Sequence, residues 1–212
     1  MGGEDEEVRL RYDRPLGSSS RPEFCVLAYG DSLTAGYHAG GFRFSPYARS
    51  LETSQLLCDH LGLSGWTATQ MVMAGSLAST LSGAADGAFR YDLAIIMAGT
   101  NDLGSGDGEA IARQVWKLHR SAHELGVRTL GVGVPGSFAQ QRLEYVRTCA
   151  ETFNRSLEGL CANEPLASYV ACPVEFSETS RFWEADGLHM SRAGYEALGR
   201  ALRPHVLATL RS

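Results

Sequence analysis

Four residues stand where a hydrolytic reaction would need them: Ser32, Asn101, Asp186 and His189. Ser32 lies in Gly30-Asp31-Ser32-Leu33-Thr34-Ala35-Gly36, directly after an apolar run and between glycines. A serine where a strand gives way to a helix start sits against exposed backbone N–H groups, which suits a nucleophile whose attack creates an oxyanion. The ordinary role of such a serine is a helix cap, so Ser32 alone defines nothing. Asn101, in Ala98-Gly99-Thr100-Asn101-Asp102-Leu103, offers an uncharged donor amide at a second strand end, although an Asn-Asp turn would use the same residues. Asp186 and His189 are three apart in Asp186-Gly187-Leu188-His189, a spacing that lets the carboxylate reach the imidazole. A carboxylate bonded to one ring nitrogen fixes the tautomer and leaves the other nitrogen free as a base. Taken together, a nucleophile, a donor and an acid–base pair at the ends of three elements describe acyl-group chemistry.

The blocks carrying these residues resemble the SGNH/GDSL hydrolase family. Gly30-Asp31-Ser32-Leu33 is similar to its first block, Gly99-Thr100-Asn101-Asp102 to its third, and Asp186-Gly187-Leu188-His189 to its last. Met73-Ala74-Gly75-Ser76-Leu77-Ala78-Ser79-Thr80 resembles the second, with Met73 where the family often has Asn and Ala78 where it often has a second glycine. The resemblance spans Gly30 to Tyr195 in the family's order. It implies that Ser32 attacks the acyl carbon, His189 takes its proton and Asp186 steadies the imidazolium. It further implies an oxyanion hole made by the N–H groups of Ser32 and Gly75 and by the Asn101 side chain. Neither a metal nor an organic cofactor is expected. The activity implied is a serine esterase acting on carboxyl esters of small molecules, with short acyl groups favoured because no long apolar or amphipathic lid segment occurs. Acyl transfer to an alcohol through Ser32 is an alternative, as is non-catalytic binding of an acylated or glycosylated ligand. Four intact reactive residues argue against the latter.

These residues need a scaffold that brings three strand ends to one edge. Phe24 to Tyr29, Leu93 to Ala98 and Thr129 to Val134 are nearly continuous apolar runs, as strands buried on both faces are. Thr67 to Met73 and Ser168 to Cys172 are weaker strand candidates. Ile111, Val115, Leu118, Ala122 and Leu125 form a helical stripe, and Leu143, Val146, Phe153, Leu157 and Leu160 form another. A third helix is expected from Ser45-Pro46 to about Leu61, stopping at Gly62, and a last one after Ser191 that Pro204 disturbs. Strands alternating with helices predict a three-layer α/β/α sandwich over residues 23–212, flavodoxin-like, with about five parallel strands. Sites in such sheets lie at the carboxyl ends of the strands. Residues 1–22, rich in charge, Gly, Ser and Pro, read as a flexible arm.

Several other signals are weaker. Gly131-Val132-Gly133-Val134-Pro135-Gly136 matches a dinucleotide fingerprint but lies within an apolar run and opens no helix, so close backbone packing explains it better. His119 and His123 are four apart without the glutamate of a zinc site, which suggests a solvated helix face, and His60 suits a helix end. His38 and Phe42, in a Gly- and aromatic-rich segment after the nucleophile, and Phe182 and Trp183, ahead of Asp186, are candidate pocket residues. With 44% hydrophobic and 20% charged residues the composition is that of a globular domain, and a net charge of -5 without a basic run excludes nucleic acid as a main partner. Five irregularly spaced cysteines suggest buried, reduced thiols. The polar start from Met1 to Glu7 is unlike a secretory signal, and no apolar run is long enough for a bilayer, so a cytoplasmic location is expected.

Overall fold

Side chains alternate along the central strands and divide the core in two. In β2 (Phe24–Gly30), Cys25, Leu27 and Tyr29 face one way and Val26 and Ala28 the other. The computed structural model describes residues 8–10, 22–85 and 90–212. Its first strand is the two-residue β1 (Val8–Arg9). After β2 come the short helix α1 (Ser32–Ala35), a hairpin of β3 (Tyr37–His38) and β4 (Arg43–Phe44), and the short helix α2 (Ala48–Leu51). Next are β5 (Leu56–Gly62), α3 (Ala68–Ala74), α4 (Ser76–Ala85) and β6 (Leu93–Met97). A 3-10 segment (Thr100–Ser105) leads into α5 (Gly108–His123) and β7 (Arg128–Val132). The chain ends with α6 (Phe138–Arg142), α7 (Glu144–Ala162), β8 (Ala167–Val170) and α8 (Arg192–Arg211).

The sheet has six strands in the order β1-β5-β2-β6-β7-β8, with β5, β2, β6, β7 and β8 parallel and β1 antiparallel at the edge. On one face Leu27, Tyr29, Ala94 and Ile96 pack against α3, α5 and α7 through Met71, Ile111, Val115, Phe153 and Leu157. On the other, Val26, Ala28, Ile95 and Met97 meet α2 and α8 through Leu51, Leu198, Leu202 and Val206. This is the three-layer arrangement that alternating strands and helices predict. All five cysteines are free, four of them buried. Among the described residues no helix is long and apolar enough to cross a membrane.

Four local expectations are corrected. The helix expected over Ser45 to Leu61 is only the four-residue α2, after which Glu52 turns extended and the chain enters β5, in register with β2 from Phe24↔Leu56 to Gly30↔Gly62. Conversely, Thr67 to Met73 is not a strand. Thr67 caps α3 in a reciprocal capping box with Gln70, so the S/T-x-x-Q pattern wins over the β-branched composition. The last helix runs through Pro204 to Arg211, because Leu198, Leu202 and Val206 anchor it on both sides of the proline. Finally, Val8 and Arg9 belong to a strand paired with Leu61 and His60, although the sequence predicts a loose arm there; residues 1–7 and 11–21 of that arm lie outside the described residues.

Candidate active site

The carboxyl ends of β5, β2 and β6 stand side by side, and each delivers a loop to the same edge. At the end of β2, Gly30 presses so closely on Met97 O and Thr34 Oγ1 that no Cβ fits there. Asp31 then caps α1, accepting the Leu33 N–H at 3.0 Å, which leaves Ser32 as the first helical residue, buried but for 7%. The N–H of Ser32 donates to no acceptor among the described residues. Burial pushes the Asp31 carboxyl up to about 6, offset in part by the Leu33 N–H, Thr100 and His189.

Asp186 and His189 come from the turn before α8. Trp183 and Met190, both buried, form an antiparallel bridge that brackets this turn, and Glu184 N–H closes it on His189 O at 2.9 Å. Asp186 Oδ1 accepts the N–H groups of Leu188 and His189, each at 2.9 Å. Its Oδ2 lies 2.8 Å from His189 Nδ1, and His189 Nε2 lies 3.0 Å from Ser32 Oγ. Burial alone would raise the Asp186 pKa, but these backbone and ring bonds from His189 and Leu188 outweigh it and hold the pKa below the ordinary value. The Tyr37 ring packs on the imidazole with centroids 4.5 Å apart.

The third loop follows β6. Gly99, at φ +106, turns the chain between Ile111 and Phe153. Thr100 sits beside Asp31, Asn101 Nδ2 donates to Trp66 O at 2.9 Å, and Asp102 Oδ2 accepts the Ala68 N–H at 3.0 Å. The Gly99-Thr100-Asn101-Asp102 block therefore ties the loop after β6 to the loop after β5. One amide hydrogen of Asn101 is used in this tie and the other is left over.

The structure brings Ser32, His189 and Asp186 into one hydrogen-bonded chain and sets Asn101 on the same edge. It does not bring Gly75 there. Gly75 caps α3, its N–H donates to Val72 O at 3.3 Å, and it faces Lys117, Leu118 and Ser121 of α5. Seven residues of α3, about 10 Å of helix, separate it from the loop after β5. The glycine in that loop is Gly65, at φ +79, exposed, with an N–H that donates to no acceptor among the described residues. It adjoins Trp66, whose carbonyl Asn101 holds. The sequence signal was available: Gly65 follows Leu56–Gly62, but only once that segment is read as the strand beside β2 does the strand-end rule point to it.

Of the candidate pocket residues, Phe42 is 87% exposed at the hairpin tip. His38 is buried, Nε2 to Ser45 Oγ at 3.1 Å, and strand alternation turns Tyr37 rather than His38 towards His189. Phe182 is half-buried under the Arg181 guanidinium. Trp183 is a core residue, Nε1 bonded to Glu175 O, so its part is to hold the turn. His119 and His123 are not on a solvated face. His119 is fully buried, and its Nδ1 and the Nε2 of His123 share the Thr129 hydroxyl at 2.7 and 2.8 Å. His60 is buried in β5 rather than at a helix end.

A three-layer α/β/α sandwich with Ser, His and Asp hydrogen-bonded in series at its carboxyl edge is the arrangement of a serine-hydrolase-type protein. The profile of the GDSL-like lipase/acylhydrolase family matches residues 28–197, and the chain belongs to that family. Similar solved structures include that of TesA, at 21% identity over 87% of this chain and 99% of that one, with TM-score 0.67. A GDSL-like lipase from Bacteroides thetaiotaomicron is 18% identical over 91% and 92% of the two chains, TM-score 0.64. A carbohydrate esterase family 2 enzyme with a carbohydrate-binding domain, from Corynascus thermopiles (Myceliophthora fergusii), is 17% identical over 93% of this chain and 69% of that one, TM-score 0.69. No curated protein matches the sequence.

Proposed function

We propose that the protein is a serine esterase that hydrolyses carboxyl esters of small molecules through an acyl-enzyme on Ser32. The observation that carries this reading is the unbroken chain from Ser32 Oγ through both ring nitrogens of His189 to Asp186. With Nδ1–H donated to Asp186, the lone pair on Nε2 faces the serine hydroxyl. Ser32 Oγ bonds to the acyl carbon as its proton passes to Nε2, and the carbonyl electron pair moves onto oxygen. That oxyanion accepts from the N–H of Ser32, the N–H of Gly65 and the spare Nδ2 hydrogen of Asn101, with Gly65 in the role that the family resemblance implies for Gly75. Collapse expels the alkoxide, which takes the proton from His189. Water then repeats both steps and releases the acid.

The elements bordering Ser32 are short: α1 has four residues and each strand of the hairpin has two. Such a rim favours small acyl groups. The test is p-nitrophenyl ester hydrolysis across acyl lengths, wild type beside Ser32→Ala. The expected result is a kcat loss on the order of 10⁴-fold or more in the variant, with kcat/KM highest for the shortest acyl groups. Equal rates in the two proteins would remove Ser32 as nucleophile, and a steady rise to long chains would overturn the small-acyl reading.

A further inference from the structure

Behind the β3–β4 hairpin lies a cavity of about 420 Å³ whose walls come from five elements. Arg9 of β1, Arg43 of β4, Arg49 of α2 and Arg192 of α8 line it, against two carboxylates, Glu52 and Glu196. Both carboxylates are already engaged. Glu52 Oε1 accepts from Arg9 Nη2 at 3.0 Å and from the Cys58 N–H at 3.3 Å. Glu196 lies between Arg192, 3.2 Å from Oε1, and Arg200, 3.7 Å from Oε2. Among the described residues Arg43 forms no hydrogen bond or ion pair, and Arg9 Nε is buried without a hydrogen-bond partner. In a chain of net charge -5, the described lining of this one concavity thus sets four arginines against two carboxylates.

We propose that this cavity binds a phosphate-type oxyanion at a place distinct from Ser32. A planar carboxylate is satisfied by a single guanidinium fork, whereas a tetrahedral phosphate presents acceptor oxygens on several faces at once. Guanidinium groups arriving from four separate elements suit the second geometry. The Ser45 hydroxyl, on the wall beside His38, adds a neutral hydrogen-bonding group.

The hairpin is the partition between this cavity and the Ser32 site. Its register pairs Tyr37 with Phe44 and His38 with Arg43, so one face presents Tyr37 to the His189 ring while the other presents His38 and Arg43 to the cavity. The oxyanion is therefore either a free phosphate compound or a phosphate borne by the ester substrate and reaching round the hairpin.

Calorimetric titration with inorganic phosphate, at constant ionic strength set with chloride, tests the site without relying on turnover. Wild type is expected to show saturable binding that weakens at least about tenfold in Arg43→Ala, the loss of one charge-assisted contact. Arg43 is exposed and pairs with no described residue, so the melting temperature without phosphate should not move. Arg49→Ala supplies a second reading from another wall. No saturable binding in millimolar phosphate, or equal affinity in wild type and both variants, would overturn the proposal. The source is read from hydrolysis of a small ester whose alcohol part carries a phosphate, with inorganic phosphate added. A raised KM at unchanged kcat assigns the site to a phosphate on the substrate, and unchanged kinetics with binding intact assign it to a free phosphate compound. Because binding is read without catalysis, an inactive protein would sink the esterase reading and leave this one standing.

Discussion

Asp186 and His189 are joined twice, through different oxygens of one carboxylate: Oδ1 accepts the His189 backbone N–H at 2.9 Å, and Oδ2 meets Nδ1 at 2.8 Å. The first bond shapes the turn and the second sets the ring's tautomer. Asp186→Asn separates the two. Its amide oxygen can still accept the backbone N–H groups, but its NH₂ would donate to Nδ1 and drive the ring proton onto Nε2, where it blocks abstraction from Ser32. The expected outcome is a kcat loss of about 10³- to 10⁴-fold on an activated ester, with a melting temperature close to wild type. A loss of only a few fold would mean that the tautomer is fixed by something other than Asp186.

Asn101 spends one amide hydrogen on Trp66 O and keeps one. Removing the side chain should delete one oxyanion donor and one exposed structural bond. Asn101→Ala is therefore expected to lower kcat about 10²- to 10³-fold while costing little stability. Unchanged kcat, measured with p-nitrophenyl acetate, would take Asn101 out of the reaction.

How far the sequence told this in advance follows from where the information is local. β2, β6 and β7 are legible because their apolar runs are barely interrupted, and the Ser32 and Asp186–His189 blocks because each is contiguous. β5 is hidden by Asp59 and His60, two polar residues buried in mid-strand. The partner that makes Asp59 tolerable is Tyr91, whose hydroxyl donates to it at 2.9 Å from 32 positions along the chain, beyond any local window. A helix over Ser45 to Leu61 also shifts the proposed oxyanion glycine, since without the strand that leads to Gly65 the next glycine to fit the block is Gly75. His119 was within reach of the pattern: it lies four residues after Val115, on the stripe that buries Ile111 and Ala122.

Gly65 and Gly75 form an internally controlled pair. Both have positive φ, +79 and +62, and at both a Cβ would meet nothing within 4 Å. Alanine at either position therefore carries the same kind of backbone strain, about 1–2 kcal/mol, without a clash. Only Gly65→Ala would turn an N–H that the proposed mechanism uses to hold the oxyanion. We expect similar melting temperatures for the two variants, kcat reduced at least about tenfold in Gly65→Ala, and kcat unchanged in Gly75→Ala. The reverse pattern of rates would restore Gly75 to the oxyanion hole.

The last prediction concerns stability and pH. Burial lowers the His119 pKa to about 3, with His123 adding to the effect, whereas the unfolded chain takes up that proton near 6.5. Between those values the unfolded state binds more protons, so this residue's contribution to stability falls as the pH drops through that window, by up to about 1.4 kcal/mol per unit. Asp31 works in the opposite sense, since its folded pKa of about 6 lies above the ordinary value of 3.8 and stability from it is gained on acidification. A comparison that keeps Asp31 in both proteins cancels that contribution. His119→Asn places an amide nitrogen near the position of Nδ1, preserves a bond to the Thr129 hydroxyl and cannot titrate. The variant should be less stable than wild type at pH 7, and the gap, measured by urea unfolding, should narrow steadily as the pH is lowered towards 4. A gap that stays constant would mean that His119 is already protonated, or remains neutral, in both states.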